Sequence, residues 1–175
     1  LTFFNATATH LMGGEITWQC IKDPLSPDVG KYIFTMKLYR DCDGTTLSMF
    51  SEFVDMWGAG ALTAPIECYF VSNTDISPSC NSSNSFPNTA LDCYGSTPAG
   101  AVEEYVYQSQ PVTLFGTPPP FGWHFTYSDC CRNASIDNIL NPGSAGFLLR
   151  ASMFSYSDVF ESMFGGGGRG LSVSG

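Results

Sequence analysis

Two short segments concentrate the reactive side chains of this sequence. Tyr39-Arg40-Asp41-Cys42-Asp43-Gly44 and Asp129-Cys130-Cys131-Arg132-Asn133-Ala134 each set cysteine beside charge at the end of a β-patterned run. Adjacent residues of an extended strand point to opposite faces, so Cys130 and Cys131 cannot easily serve one metal but can reach two different partners. The chemistry this favours is covalent scaffolding between neighbouring strand ends. None of the seven cysteines stands in a C-x-x-C spacing, which weakens zinc-ribbon and thioredoxin-like readings. Cys20, Cys42, Cys68, Cys80, Cys93, Cys130 and Cys131 are therefore all candidates for structural disulfides in an oxidising compartment, with one left over and the connectivity open. Cys80 and Cys93 lie within a long irregular stretch that a bridge between them would close locally.

Asp41, Asp43 and Asp55 could supply oxygen ligands to calcium, the one cofactor the sequence suggests. Asp41-Cys42-Asp43-Gly44 has the spacing that opens a calcium loop but lacks its later glutamate. The competing account is a turn whose carboxylates are solvated or cap backbone donors. Arg40 and Arg132 lie close to the cysteines while Asp41 and Asp129 offer opposite charge. Cross-pairing of these groups would fix the register of adjacent strand ends.

Catalysis finds little material. His10 and His124 are the only histidines, and neither belongs to a nucleophile, zinc-protease or phosphate-loop motif. Glu103 and Glu104 are neighbours on a strand pattern and face oppositely, so they cannot act as an acid and base pair on one substrate. The reading is a non-enzyme. Trp123, Phe125 and Tyr127 alternate onto one face, which favours burial. Trp57, beside Gly58-Ala59-Gly60, is expected to protrude from a loop tip and is the candidate for contact with a glycan or partner.

These side chains need strands to hold them. Alternation marks Glu15 to Cys20 and Lys31 to Arg40 as strands, the second with Tyr32, Phe34, Met36 and Leu38 on one face. Turn residues between them predict an antiparallel hairpin. Further strands are expected at 47–57, 66–71, 102–107, 112–115, 122–128 and 146–154. About eight short strands separated by turn clusters predict an all-β fold, an Ig-like antiparallel β-sandwich with long loops, stapled by disulfides. The 175 residues suit one domain over 9–157. Residues 1–8 read as a signal-peptide remnant or an N-terminal strand, and 158–175 as a flexible glycine-rich tail or linker.

Composition narrows the partners. Only 13% of residues are charged while 14% are aromatic, a balance suited to extracellular β modules. The net charge of −9 with scattered Lys and Arg argues against nucleic acid and anionic lipid. No run approaches the length of a membrane span.

Ala8-Thr9-His10-Leu11-Met12-Gly13-Gly14-Glu15-Ile16-Thr17-Trp18, then Tyr39-Arg40-Asp41-Cys42, Val102-Glu103 to Tyr107, and Cys130-Cys131-Arg132-Asn133-Ala134-Ser135-Ile136 with Asn141-Pro142-Gly143, follow one another in order. Together they resemble the N-terminal module of very long surface proteins of Bacteroidetes-type bacteria, those carrying Ig-like or PKD repeats and a gliding-motility-associated C-terminal domain. The resemblance covers roughly residues 8–155 and is specific to the family rather than to a function. It implies export by type IX secretion and display at the bacterial cell surface as an adhesin or filament. Nothing in the sequence resembles that family's C-terminal secretion signal.

The expected function is a non-enzymatic adhesion module, linked to gliding motility, presenting loops 56–65 and 72–100 to a substratum, a surface glycan or another surface or secretion-system protein. The alternatives are a structural subunit that pairs with copies of itself in a filament, and a carbohydrate-binding appendage of a secreted enzyme.

Overall fold

The computed structural model describes residues 11–77, 93–94, 100–130, 132 and 138–155. The expectations for the two ends of the chain, and for Cys80 and Cys131, lie outside these residues. Among the described residues there are seven strands: β1 (Leu11–Cys20), β2 (Tyr32–Asp41), β3 (Ser51–Gly58), β4 (Ala61–Asp75), β5 (Val102–Ser109), β6 (Trp123–Asp129) and β7 (Phe147–Met153). A 3-10 turn, Pro142–Ser144, precedes β7.

Period-two alternation determines which side chains go inside. On β2, Phe34, Met36 and Leu38 are fully buried, and on β6 Trp123, Phe125 and Tyr127 are buried, as the sequence pattern requires. The strands hydrogen-bond in the order β1-β2-β5-β4-β3-β6-β7, antiparallel throughout. β2 and β6 are far apart in that order, yet the Phe34 and Phe125 rings lie 4.7 Å apart, and Trp18 of β1 lies 5.6 Å from Phe125. The sheet therefore curls until its first strands face its last, enclosing the core.

An odd number of alternating strands leaves the two edges, β1 and β7, running in the same direction. They meet through side chains such as Leu149 beside Gly14, and Leu11 of β1 also forms a parallel bridge with Arg132 in the connection between β6 and β7. Gly14 makes this approach possible. A Cβ there would lie 2.5 Å from the Lys37 carbonyl oxygen and 2.7 Å from Leu149 Cδ1.

The all-β, antiparallel and disulfide-linked character matches expectation, whereas the described strands number seven and bond as one nearly closed sheet rather than as separate layers. The expected strand at 112–115 is reduced to one bridge. Val112 exchanges both backbone bonds with Tyr32, at 2.8 and 2.9 Å, and Pro111 before it supplies no donor to extend the pairing in that direction. The expected loop at 56–65 is instead a tight hairpin. Ala59 and Gly60 adopt φ of 52° and 82°, the left-handed geometry of a two-residue turn matching strand twist. The strand expected over 66–71 also grows, because β5 gives β4 partners as far as Asp75.

Cys93 bonds Cys42, not Cys80. Cys42 follows β2, and the Cys93 amide is held by Asp75 at the end of β4; β5 lies between those two strands and brings their ends together. A bridge across a separation of 51 residues stabilises by about 4 kcal/mol through the unfolded chain. Cys130 is also disulfide-bonded, with its partner outside the described residues. Cys20 and Cys68 are free thiols, against the expectation that they serve as staples. Cys68 points into the core from β4, and Cys20 sits at the end of the β1–β2 hairpin away from Cys42.

Candidate functional site

Trp57 does not protrude from a loop tip. It lies on β3, paired with Leu62 of β4 and His124 of β6, and His124 in turn pairs with Ser152 of β7. The next row outward on the same face is Pro65, Asp55, Thr126 and Arg150. Alternation sends all of these away from the core, because their strand neighbours Val54, Met56, Phe125 and Leu149 are buried. The result is a patch on rigid sheet, built from four strands.

Hydrogen bonds fix its geometry. The Trp57 indole Nε1 donates to Thr126 Oγ1 at 2.9 Å, which holds the ring half-buried against the sheet. Arg150 Nη2 lies 2.8 Å from His124 Nε2, and His124 Nδ1 lies 2.9 Å from Ser152 Oγ. Arginine has no acceptor, so Nε2 must carry the lone pair and Nδ1 the proton. Neutral His124 then donates to Ser152. Burial, with the Arg150 charge adding to it, lowers the histidine's pKa below its usual value and favours the same neutral form. Exposed Leu62, Phe53 and Leu148 on the outward positions of β4, β3 and β7 surround the cluster with apolar surface.

Ser152 and His124 have the separation of a nucleophile and base, but the arrangement opposes that chemistry. The imidazole proton points at the serine, and a cation stands where a carboxylate would stabilise an imidazolium. What the patch can do is present one aromatic ring, one guanidinium and several hydroxyl groups to a surface. No protein-family model, curated protein or solved structure matches this chain.

The calcium candidates are not brought together. Asp41 Oδ1 accepts the backbone amides of Asp43 and Gly100, at 3.0 and 3.3 Å, while Asp55 lies on the Trp57 patch, separated from β2 by β5 and β4. Among the described residues, no group of three His, Cys, Asp or Glu side chains could hold a metal. The turn reading, in which Asp41 caps backbone donors, describes this segment.

The expected cross-pairing of Arg40 and Arg132 with Asp129 and Asp41 is replaced by other partners. Arg40 reaches inward to Glu103 of β5, with Nε at 3.0 Å and Nη2 at 2.8 Å from Oε2. Its Nη1 donates to the carbonyls of Asp41 and Gly44. Arg132 donates to the Gly146 carbonyl and lies over the Phe147 ring. The opposite orientation of Glu103 and Glu104 holds: Glu103 is buried, and Glu104 pairs outside with Lys37 at 3.2 Å. Glu103 Oε1 accepts Asn73 Nδ2 and the Tyr94 hydroxyl, each at 2.7 Å. Burial pushes the Glu103 pKa up, but bonds from Tyr94, Arg40 and Asn73 outweigh it and hold the carboxyl below its usual range.

Arg150, Ser152 and Thr126 were not singled out from sequence. Their signal was their parity: each alternates with a buried apolar residue on β6 or β7.

A concavity of about 540 Å³ opens beside the first half of β4, where β5 no longer pairs with it. Buried Met56, Ile66 and Trp123 line it together with Leu114 and exposed Phe115.

Proposed function

We propose that this chain is a non-enzymatic display module of a bacterial cell surface. Its curled sheet holds the Trp57, His124, Thr126 and Arg150 face toward a glycan or a partner protein, the role an Ig-like module serves in a longer adhesin. The resemblance to the leading module of exported, gliding-associated surface proteins supports the location. The observation that carries the role is the outward row joining Trp57, His124 and Ser152 across neighbouring strands, with hydrogen bonds that fix each side chain before any ligand arrives. Pre-ordering of this kind removes part of the entropic cost of binding.

Binding of the whole chain to immobilised glycans and to bacterial and abiotic surfaces tests this. Trp57→Ala should weaken capture at least tenfold with an unchanged circular dichroism spectrum. Undiminished capture by that variant would refute the role given to this face.

A second reading, a structural subunit, is favoured by the apolar concavity beside the first half of β4, on the side where β5 does not pair with it. There an apolar segment of a neighbouring copy would be the occupant. Concentration-dependent assembly that Trp57→Ala leaves intact and Phe115→Ser abolishes selects this reading over adhesion.

A further inference from the structure

The dipeptide Cys93-Tyr94 is seated across the ends of three strands. Cys93 is bonded covalently to Cys42 after β2, and its amide donates to Asp75 Oδ2 of β4 at 2.8 Å. The Tyr94 hydroxyl donates to Glu103 of β5. Tyr94 as a residue is 72% exposed, yet its hydroxyl reaches a carboxylate side chain that is only 2% exposed. Tyr94 therefore lies over the buried Arg40–Glu103 pair, and among the described residues the Cys42–Cys93 bridge is the covalent cross-link that ties this dipeptide to the sheet.

Both bridge cysteines are half-buried, so a thiolate can approach the sulfurs. Neither lies in a strand, and neither belongs to the core cluster, whose packing runs through Phe34, Tyr105, Tyr107 and Phe125. Neither cysteine is a member of the β2–β5 or β4–β5 ladder.

We propose that the Cys42–Cys93 disulfide is an exchangeable latch: its reduction by a dithiol releases Tyr94 from Glu103 and uncovers the Arg40–Glu103 pair while the sheet remains folded. The exchange balances simply. The sulfur–sulfur bond between Cys42 and Cys93 breaks and one forms within the dithiol, which passes two electrons and two protons to the protein thiols. In the latched state, the hydrogen bond to Glu103 holds the Tyr94 hydroxyl well above the usual tyrosine range, up to about 12, with burial and the carboxylate charge adding to it. Unlatching removes that bond and returns the phenol toward its ordinary value.

Nitration of tyrosine by tetranitromethane at mildly alkaline pH proceeds through the phenolate, and peptide mapping reads it at Tyr94 alone. In the full chain, Cys42→Ser/Cys93→Ser should accelerate nitration of Tyr94 by up to roughly 100-fold, the ratio of phenolate populations, with an unchanged circular dichroism spectrum. An unchanged rate at Tyr94 in the folded variant overturns the proposal. If that variant does not fold, graded reduction of the wild-type chain, alkylated and mapped at Cys42 and Cys93, decides the matter. Loss of the bridge ahead of loss of the β spectrum supports a latch. Coincident loss of both shows a staple on which the sheet depends and overturns the latch.

Discussion

Arg40 and Glu103 face each other across the β2–β5 ladder, both on the inside of the sheet, joined through two guanidinium nitrogens at 2.8 and 3.0 Å. Two buried charges are tolerable only when every remaining hydrogen-bonding position is used. Here Asn73, Tyr94 and the carbonyls of Asp41 and Gly44 use them. The pair therefore fixes how the end of β2 meets β5 and β4. Arg40→Met leaves a buried carboxylate without its counter-charge, and we expect a loss of about 3–5 kcal/mol, read from urea unfolding. A loss below about 1 kcal/mol, the range of exposed pairs, would mean that the pair is solvated.

The same carboxylate sets an acid limit. Because the Glu103 pKa lies lower in the folded protein than its ordinary value of 4.5, the unfolded chain binds the proton more tightly. Its contribution to stability is therefore complete above about pH 4.5 and is lost as the pH falls through the folded value. Thermal melts between pH 7 and pH 3 should show that fall, and Glu103→Gln should flatten it while lowering stability at neutral pH. An equally steep fall in the variant would place the acid sensitivity elsewhere.

Gly14 is the point at which β7 closes over β1. Gly14→Ala places a methyl group against the Lys37 carbonyl and the Leu149 side chain, and the carbonyl belongs to a paired strand and cannot swing away. We expect a loss of about 1–3 kcal/mol in chemical denaturation. Gly13→Ala is the control, since a Cβ there meets only the Tyr39 ring edge at 3.7 Å. Equal effects from the two substitutions would show that the β1–β7 closure is loose.

The two free thiols among the described residues should differ in reactivity. Cys68 is fully buried, and burial, with the Glu67 charge adding to it, pushes its thiol up to about 12. Cys20 is half-buried at a strand end. Iodoacetamide under native conditions, followed by peptide mapping, should label Cys20 and leave Cys68 until denaturant is added. Native labelling of Cys68 at the rate of Cys20 would mean that β4 opens readily.

Strand positions were legible because burial on a pleated surface imposes a local rule. Phe34, Met36 and Leu38, and Trp123, Phe125 and Tyr127, could each be assigned inward from a handful of neighbours. The same rule separated Glu103 from Glu104. Trp57 was misplaced because Gly58-Ala59-Gly60 suggests a protruding loop, whereas strand pairing with Leu62 and His124 continues up to the turn itself. Its neighbours Thr126, Arg150 and Ser152 come from β6 and β7, and no spacing within the chain reports which strands lie side by side.

What the sequence by itself determined is the all-β antiparallel character, most of the strands and their inward faces, since each depends on residues only a few positions apart. Tertiary structure alone decided that Cys42 would take Cys93, that Arg40 would turn inward to Glu103, and that the sheet would curl until β1 met β7. Those outcomes depend on strand order, and strand order is selected by burial over the whole core. A local pattern specifies which face of a strand is apolar, but many strand orders satisfy it equally, and the chosen one minimises exposed apolar surface only when all seven strands are placed together.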